Sequence, residues 1–543
     1  LQRNINRNMG VNKRAAFLYW LFAATVFGVA VTGCKSEEVI EKKLPTSITV
    51  YENRFVDNYG RHVILNGINV ISKSKERGYL VDADSTLYTK LRSWGFNAIR
   101  FGIIWDGIEP QPGVYNEEYL QGIDQHIQWA ADNDIFVVLD MHQDLYSVLY
   151  SNGAPQWATL HEGKPHKMGA IWSDAYMQSQ AVQTSFDNFW ANRLAPDGIG
   201  LQDHYALMWQ HIAKRYANNP AVIGYDLMNE PFAGSAAQQY MPTLLAENGK
   251  LIYETTGKAL SRRELELIWS DVEDRTKALK SLSSEENFSK VIDVLFPYNR
   301  SFEMHQLQPF YQKVSDAIRK VDKRSVLFLE HSYLSNMGIR SSIGRTTLFD
   351  GRPDSLLAYA PHGYDLVTDT QDASDASFER LSFIYNRLQE NADKLQMPVW
   401  LGEWGAFYRH GEEIVPVAQH AVGMIERNLF GNAYWSYDSK MDNLPYFKHA
   451  LVRPYPAYTN GELLEYSFDR ETNILTMTWQ EAVGNAAPTQ LFIPYLAKGE
   501  PMKKMEKRLN ASIKRIANSN AGWLVIAPLE GGQKRRLVVR LAE

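Results

Sequence analysis

Short apolar segments recur eight times along the chain, at 62–65, 98–101, 135–139, 221–224, 325–329, 356–359, 398–401 and 432–435, with helical stretches between them. Alternation of this kind is the pattern of a parallel α/β fold, because parallel strands need a long crossover connection and the helices then cover the sheet. A doubly wound sheet shares it. What favours a closed (β/α)8 barrel is that polar and aromatic residues follow nearly every strand, as a ring of loops around one mouth requires. In order these are Asn66 and Asn69; Arg100 and Trp105; Asp140, His142 and Asp144; Asn229 and Glu230; Glu330 and His331; His362 and Tyr364; Glu403 and Trp404; and Trp435.

The fourth and seventh ends carry the chemistry. Pro231 cannot continue a sheet ladder, so Asn229 and Glu230 are expected at the carboxyl end of their strand, where barrels build active sites. Glu403 closes a second apolar run with Trp404 beside it. Two strand-end glutamates suggest a retaining glycosidase, which needs an acid/base and a nucleophile roughly 5 Å apart. Blander readings remain open for single residues: Arg100 as a structural ion pair, His142 as a hydrogen-bonded core histidine, and Glu330 rather than Glu403 as the partner of Glu230.

Two insertions interrupt the barrel, which is expected over 48–455. One spans about 147–203, and a longer one, at about 238–300, is rich in Leu, Glu and Lys with helical periodicity. Both emerge on the side of the mouth and are candidate lids or substrate walls, although the second also reads as a surface helical decoration. After Pro456 short strands follow at close spacing with turn residues between them, predicting a small all-β sandwich over 456–543.

The amino-terminal part has a different character. Arg7, Lys13 and Arg14 precede an apolar run from Ala15 to Gly33, which ends at the only cysteine, Cys34, and is followed by polar Lys35-Ser-Glu-Glu. A basic start, an apolar core and small residues before a cut are the parts of a secretory signal. The cysteine at the cut resembles a bacterial lipoprotein signal over 1–34, with Cys34 lipidated and 35–47 an exposed linker. An uncleaved membrane anchor is the other reading, since about nineteen apolar residues could just span a bilayer. Either way the protein is expected to be tethered to a membrane outside the cytoplasm, on the periplasmic or surface side of a bacterial envelope. A single cysteine allows no disulfide framework and no cysteine-based metal site. A formal net charge of -5 on 543 residues asks for no nucleic-acid partner, and nothing in the sequence calls for a protein partner.

Several segments together carry a family resemblance: Asp-Met-His-Gln-Asp at 140–144, Asn-Gly-Ala-Pro at 152–155, Tyr-Asp-Leu-Met-Asn-Glu-Pro-Phe at 225–232, Pro-His-Gly-Tyr at 361–364, Leu-Gly-Glu at 401–403, Tyr-Trp-Ser at 434–436 and Arg-Pro-Tyr-Pro at 453–456. The chain resembles the endoglycoceramidases of glycoside hydrolase family 5, which cleave the bond between the glycan and the ceramide of glycosphingolipids. The resemblance implies Glu230 as acid/base, Glu403 as nucleophile, and Asn229 as the group that bonds the 2-hydroxyl of the cleaved sugar. It implies a first sugar subsite lined by His142, Asp144, His362, Tyr364 and Trp435, with Arg100 bonding the nucleophile. A lysine on the loop after the first strand is matched by Lys75, with Lys73 two residues away. No metal or organic cofactor is expected. The 238–300 insertion is longer than its counterpart in the actinobacterial members, and Leu295, Phe296 and Tyr298 in it are expected to form an apolar edge for the lipid. Other readings are a family 5 enzyme acting on β-glucan or on a steryl or monohexosyl lipid, and a glycan-binding lipoprotein without activity.

Overall fold

The structure, a computed structural model, describes residues 47–541 apart from 170, 271, 369, 371, 409 and 497–508. The predicted leader, including Cys34, lies outside the described residues, as does nearly all of the linker. Eight parallel strands form the barrel: β1 (Asn66–Val70), β2 (Ala98–Ile104), β3 (Phe136–His142), β4 (Val222–Asp226), β5 (Val326–Leu329), β6 (Leu357–Tyr359), β7 (Trp400–Gly405) and β8 (Gly431–Trp435). They pair in the order β7-β8-β1-β2-β3-β4-β5-β6. The ring is closed by a Tyr359–Val399 bridge and by His362–Gly363, which pair in parallel with Glu403 and Trp404. Tyr359 N–H donates to the Pro398 carbonyl at 2.9 Å across the same seam.

Local chemistry starts the crossover helices where the sequence changes character. Asn116 caps Glu117–Asp132 by accepting from the Tyr119 N–H, and Ser377 caps Phe378–Leu395 by accepting from the Arg380 N–H, each cap contributing about 1 kcal/mol. At Gly224 the β4 backbone lies so close to β5 that a Cβ would sit 2.2 Å from the Val326 carbonyl oxygen. No larger residue fits between those strands.

The first strand differs from its expected position. Residues 61–63 pair antiparallel with Tyr455–Asn460 in a different sheet, and the barrel strand is the next segment, 66–70. Apolarity at 62–65 marks a buried strand without naming its partner, and that partner lies nearly 400 residues away. Three strands in all, Ile48–Tyr51, Arg54–Asp57 and Arg61–Val63, join the carboxyl-terminal strands in a seven-stranded sheet. A three-stranded sheet of Glu462–Asp469, Ile474–Gln480 and Lys534–Arg540 completes the sandwich. The expected barrel boundary at 48 is therefore corrected: the sandwich takes its strands from both ends of the chain.

One apolar cluster joins barrel and sandwich. Ala98, Phe136, Val326 and Trp400, each opening its barrel strand, and Phe328 pack in it with Tyr455, Leu491, Phe492 and Trp523 of the sandwich. The sandwich thus closes the bottom of the barrel and leaves the carboxyl ends free. The second insertion is helical, with Tyr240–Thr256, Arg262–Ser270, Val272–Ser281, Glu285–Ile292 and Phe296–Phe302 in succession.

Candidate active site

Arg100, on β2, is fully buried and is the hub on which the strand ends converge. Its Nε meets Asp226 Oδ2 at 2.9 Å, its Nη1 meets Glu403 Oε1 at 2.7 Å, and its Nη2 meets Glu330 Oε1 at 2.7 Å and Asp140 Oδ1 at 2.9 Å. Arg100 Nη2 also donates to Asn229 Oδ1 at 2.9 Å. A planar fork of five donors suits such a site, which an ammonium would fill poorly. Arg100 is thus both the buried ion pair of the bland reading and a direct partner of Glu403. Glu330 faces this hub and not the cleft, so it holds Arg100 and the Glu230 N–H, at 2.8 Å, and does not stand in for Glu403.

Glu230 and Glu403 converge from opposite sides of the mouth. A carboxylate oxygen of each and a ring nitrogen of His362 lie within 4.8 Å of one another. Asn336 Nδ2 donates to Glu230 Oε1 at 2.6 Å, and His362 Nδ1 lies 3.0 Å from the same oxygen. Tyr364 donates its hydroxyl to Glu403 Oε2 at 3.0 Å. Glu230 adopts φ +47°, a left-handed conformation that costs a non-glycine residue about 1–3 kcal/mol and is kept where surrounding contacts over-determine it.

The electrostatics follow from burial and from this crowd of carboxylates. Burial pushes the Glu403 carboxyl up, against the pull of the His362 and Arg100 charges, with Glu230 adding to the rise. Burial opposes charge on His362 too, but Glu330, Glu403 and Glu230 hold it well above the ordinary imidazole range. Asp144 is held well below the carboxylate range despite its burial, chiefly by Lys73.

A cavity of about 270 Å³ opens in front of the two glutamates. Its polar wall includes Lys73, His142, Asp144, Asn336, Tyr364 and Trp435, with Glu230 and Glu403. His142 stacks on Trp435 at 5.2 Å between ring centres and donates from its Nδ1 to Asp140 Oδ2 at 2.8 Å. Asn229 and His362, expected at the sugar, do not border the cavity: both are buried, His362 beside Glu230 and Asn229 between Arg100 and the Gln143 carbonyl, to which its amide donates at 3.0 Å.

The lysine expected at the sugar is corrected. Lys73 is the one in the cavity, 2.5 Å from Asp144 Oδ2 and over the Trp435 ring at 4.5 Å, whereas Lys75 turns outward to Asp106 at 2.7 Å. The loop makes a turn at Lys75–Arg77, and that turn separates two residues which the sequence spacing could not. Lys73→Met is expected to lower kcat/KM by roughly tenfold or more, the worth of a charge-assisted hydrogen bond. Lys75→Met is expected to change it by less than about twofold, since exposed pairs contribute little. Steady-state kinetics of both variants on one glycoside checks this.

The expected apolar edge is also corrected. Leu295 is fully buried in the core, and none of Leu295, Phe296 and Tyr298 borders the cavity. Its apolar rim comes from the first insertion and from three barrel loops: Ile171 and Trp172, Tyr333 and Met337, Leu366, and Tyr408. Sequence reading missed these and also Asn336 and Asp226. For Asn336 a signal existed, since it lies on the loop that Glu330 and His331 begin. Asp226 is the last residue of β4, hidden in the sequence behind the more conspicuous Asn229 and Glu230, and only its inward direction reveals it.

The described residues hold two clusters of metal-ligating type, Glu230-His362-Glu403 and Asp140-Asp226-Glu330. The second is occupied by the Arg100 guanidinium.

Comparison with known proteins agrees with this layout. The cellulase model of glycosyl hydrolase family 5 matches residues 56–441, and the glycoside hydrolase family 5 C-terminal domain matches 453–528. An endoglycoceramidase of Hydra vulgaris is 31% identical over 249 residues, 40% of this chain and 46% of its own length, so the chain spans less than half of that relative. Endoglycoceramidase I of Rhodococcus hoagii is 24% identical over 464 residues, 82% of this chain and 80% of its own. Among solved structures, endo-glycoceramidase II from a Rhodococcus species superposes with a TM-score of 0.67 at 25% identity, covering 91% of this chain and 100% of that one.

Proposed function

Because the chain belongs to glycoside hydrolase family 5, we propose that it is a retaining glycosidase cleaving the β-glycosidic bond between the glycan and the ceramide of glycosphingolipids. The observation that carries this reading is the pair Glu230 and Glu403, with oxygens within 4.8 Å on the wall of one cavity. That spacing suits a nucleophile and an acid/base with no room for a water between sugar and carboxylate, as retention demands. Glu403 Oε2 attacks the anomeric carbon, forming a C–O bond while the glycosidic C–O bond breaks. The electron pair goes to the leaving oxygen, which takes the Glu230 proton. A water then gives its proton to Glu230 and its oxygen to the anomeric carbon, releasing Glu403 and a glycan of unchanged configuration. Arg100 and Tyr364 fix the orientation of Glu403, and Lys73, His142 and Asp144 offer the sugar hydroxyls donors and acceptors.

A lipid leaving group is supported by the make-up of the rim and by the relatives that carry the endoglycoceramidase name. The test is incubation with purified gangliosides, lactosylceramide, glucosylceramide and β-glucan, reading out free ceramide and reducing ends. Ceramide release from the glycolipids is the expected result. Depolymerised β-glucan with no ceramide would overturn the lipid reading and favour the polysaccharide one.

Attachment to a membrane through a lipidated Cys34 is a separate proposal, supported by the basic, apolar and small-residue order that precedes it. Cys34→Ser is expected to abolish metabolic lipid labelling and signal cleavage in a bacterial host. Normal labelling of that variant would contradict it. Among the described residues no helix is long and apolar enough to cross a membrane.

A further inference from the structure

We propose that Asn336 is a positioning residue for the acid/base: its amide, aimed by His331 and Tyr359, ties down Oε1 of Glu230 and leaves Oε2 as the oxygen that delivers the proton. This rests on the reading of Glu230 as acid/base given above.

The orientation of the amide is set by its neighbours. Asn336 Nδ2 lies 2.6 Å from Glu230 Oε1, an oxygen that His362 Nδ1 also faces at 3.0 Å, and an oxygen placed between two nitrogens in this way accepts from both, so the group Asn336 presents is its N–H. Its Oδ1 then faces His331 Nε2 at 2.9 Å, which must be the protonated ring nitrogen. The other nitrogen, Nδ1, accepts from the Tyr359 hydroxyl at 2.8 Å. One proton on His331 satisfies both contacts, and burial keeps the ring neutral by pushing it down to about 3. Tyr359, His331 and Asn336 are all buried, so the chain Tyr359-His331-Asn336-Glu230 has every donor and acceptor along it matched.

The consequence falls on one atom. Glu230 Oε1 faces Asn336 Nδ2 and His362 Nδ1 together, and a proton on that oxygen would point into N–H donors. The proton therefore resides on Oε2. The loop bearing Asn336 is itself clamped by the second insertion and the turn after it: Asn299 Nδ2 donates to Ser335 Oγ at 2.9 Å and to the Arg340 carbonyl at 3.1 Å, and the Ser332 N–H donates to Glu303 Oε1 at 3.0 Å. The insertion thereby acts on the acid/base through this loop.

Acid assistance matters in proportion to how poor the leaving group is, which separates positioning from a merely structural role. Asn336→Ala, Tyr359→Phe and, as reference, Glu230→Ala are assayed on 2,4-dinitrophenyl and octyl β-lactoside. Asn336→Ala is expected to lose roughly 30-fold or more in kcat/KM on the octyl substrate, within the range general acid catalysis supplies, and at least about tenfold less than that on the dinitrophenyl one. Tyr359→Phe removes one hydroxyl and should fold normally, giving the same imbalance at smaller size. Equal losses on both substrates for both variants, with Glu230→Ala showing a strong imbalance, would overturn the proposal alone. No imbalance in Glu230→Ala would bring down the acid/base reading and this inference with it.

Discussion

Glu403→Gln is expected to reduce turnover by roughly 10⁴-fold or more on every β-glycoside, whatever its leaving group, because the variant cannot form the glycosyl-enzyme. Glu230→Ala is expected to behave differently. On a glycolipid it should lose about 10²–10⁴-fold, the worth of general acid catalysis, yet it still carries a nucleophile. On an activated aryl glycoside azide should therefore restore turnover to Glu230→Ala and yield a β-glycosyl azide, while Glu403→Gln gains nothing. The two variants assayed side by side with and without azide check this. Near-normal activity of Glu403→Gln would contradict the assignment of the nucleophile.

The largest effect on stability is expected at Arg100. Four carboxylates, Asp140, Asp226, Glu330 and Glu403, lie within 2.9 Å of its guanidinium, and the first three are no more than 1% exposed. Arg100→Met leaves them facing one another in the middle of the barrel. Removing one partner of a buried pair costs about 3–5 kcal/mol, and with four partners the loss is expected at the upper end of that range or beyond. Arg100→Lys is no rescue, because one ammonium cannot reach all of them. A urea unfolding curve should move to a markedly lower midpoint, or the variant should fail to accumulate as folded protein. An unchanged midpoint would mean that the carboxylates are neutralised by other means.

Much of this site was legible in the sequence, for reasons that particular residues make clear. Glu403 was readable because it closes an apolar run directly, and Glu230 because Pro231 breaks the segment just after it, four residues past the end of β4; a strand's end in a barrel has one destination. His142, Asp144, Tyr364 and Trp435 were readable on the same ground, and all four reach the cavity wall. Choosing between Lys73 and Lys75 was not, because a three-residue turn on a loop sends neighbours in opposite directions and no periodicity reports it. The edge at Leu295 failed for a related reason: an apolar cluster in an insertion can equally serve a local core, and here it does. Asn336 escaped because its partner Glu230 lies 106 residues earlier and their meeting depends on a loop clamped by Asn299 and Glu303. The strand at 61–63 shows the same limit in the fold, since its antiparallel partner comes from the far end of the chain.

Glu403 is the nucleophile of a covalent intermediate, paired with Glu230 across a short gap. The direct measurement is incubation with an activated 2-deoxy-2-fluoro β-glycoside, followed by intact mass and peptide mapping. Expected is a mass gain of one fluoroglycosyl group located on the peptide containing Glu403, with the label retained in Glu230→Ala and absent from Glu403→Gln. A label on Glu330, or none together with a product of inverted configuration, would contradict it.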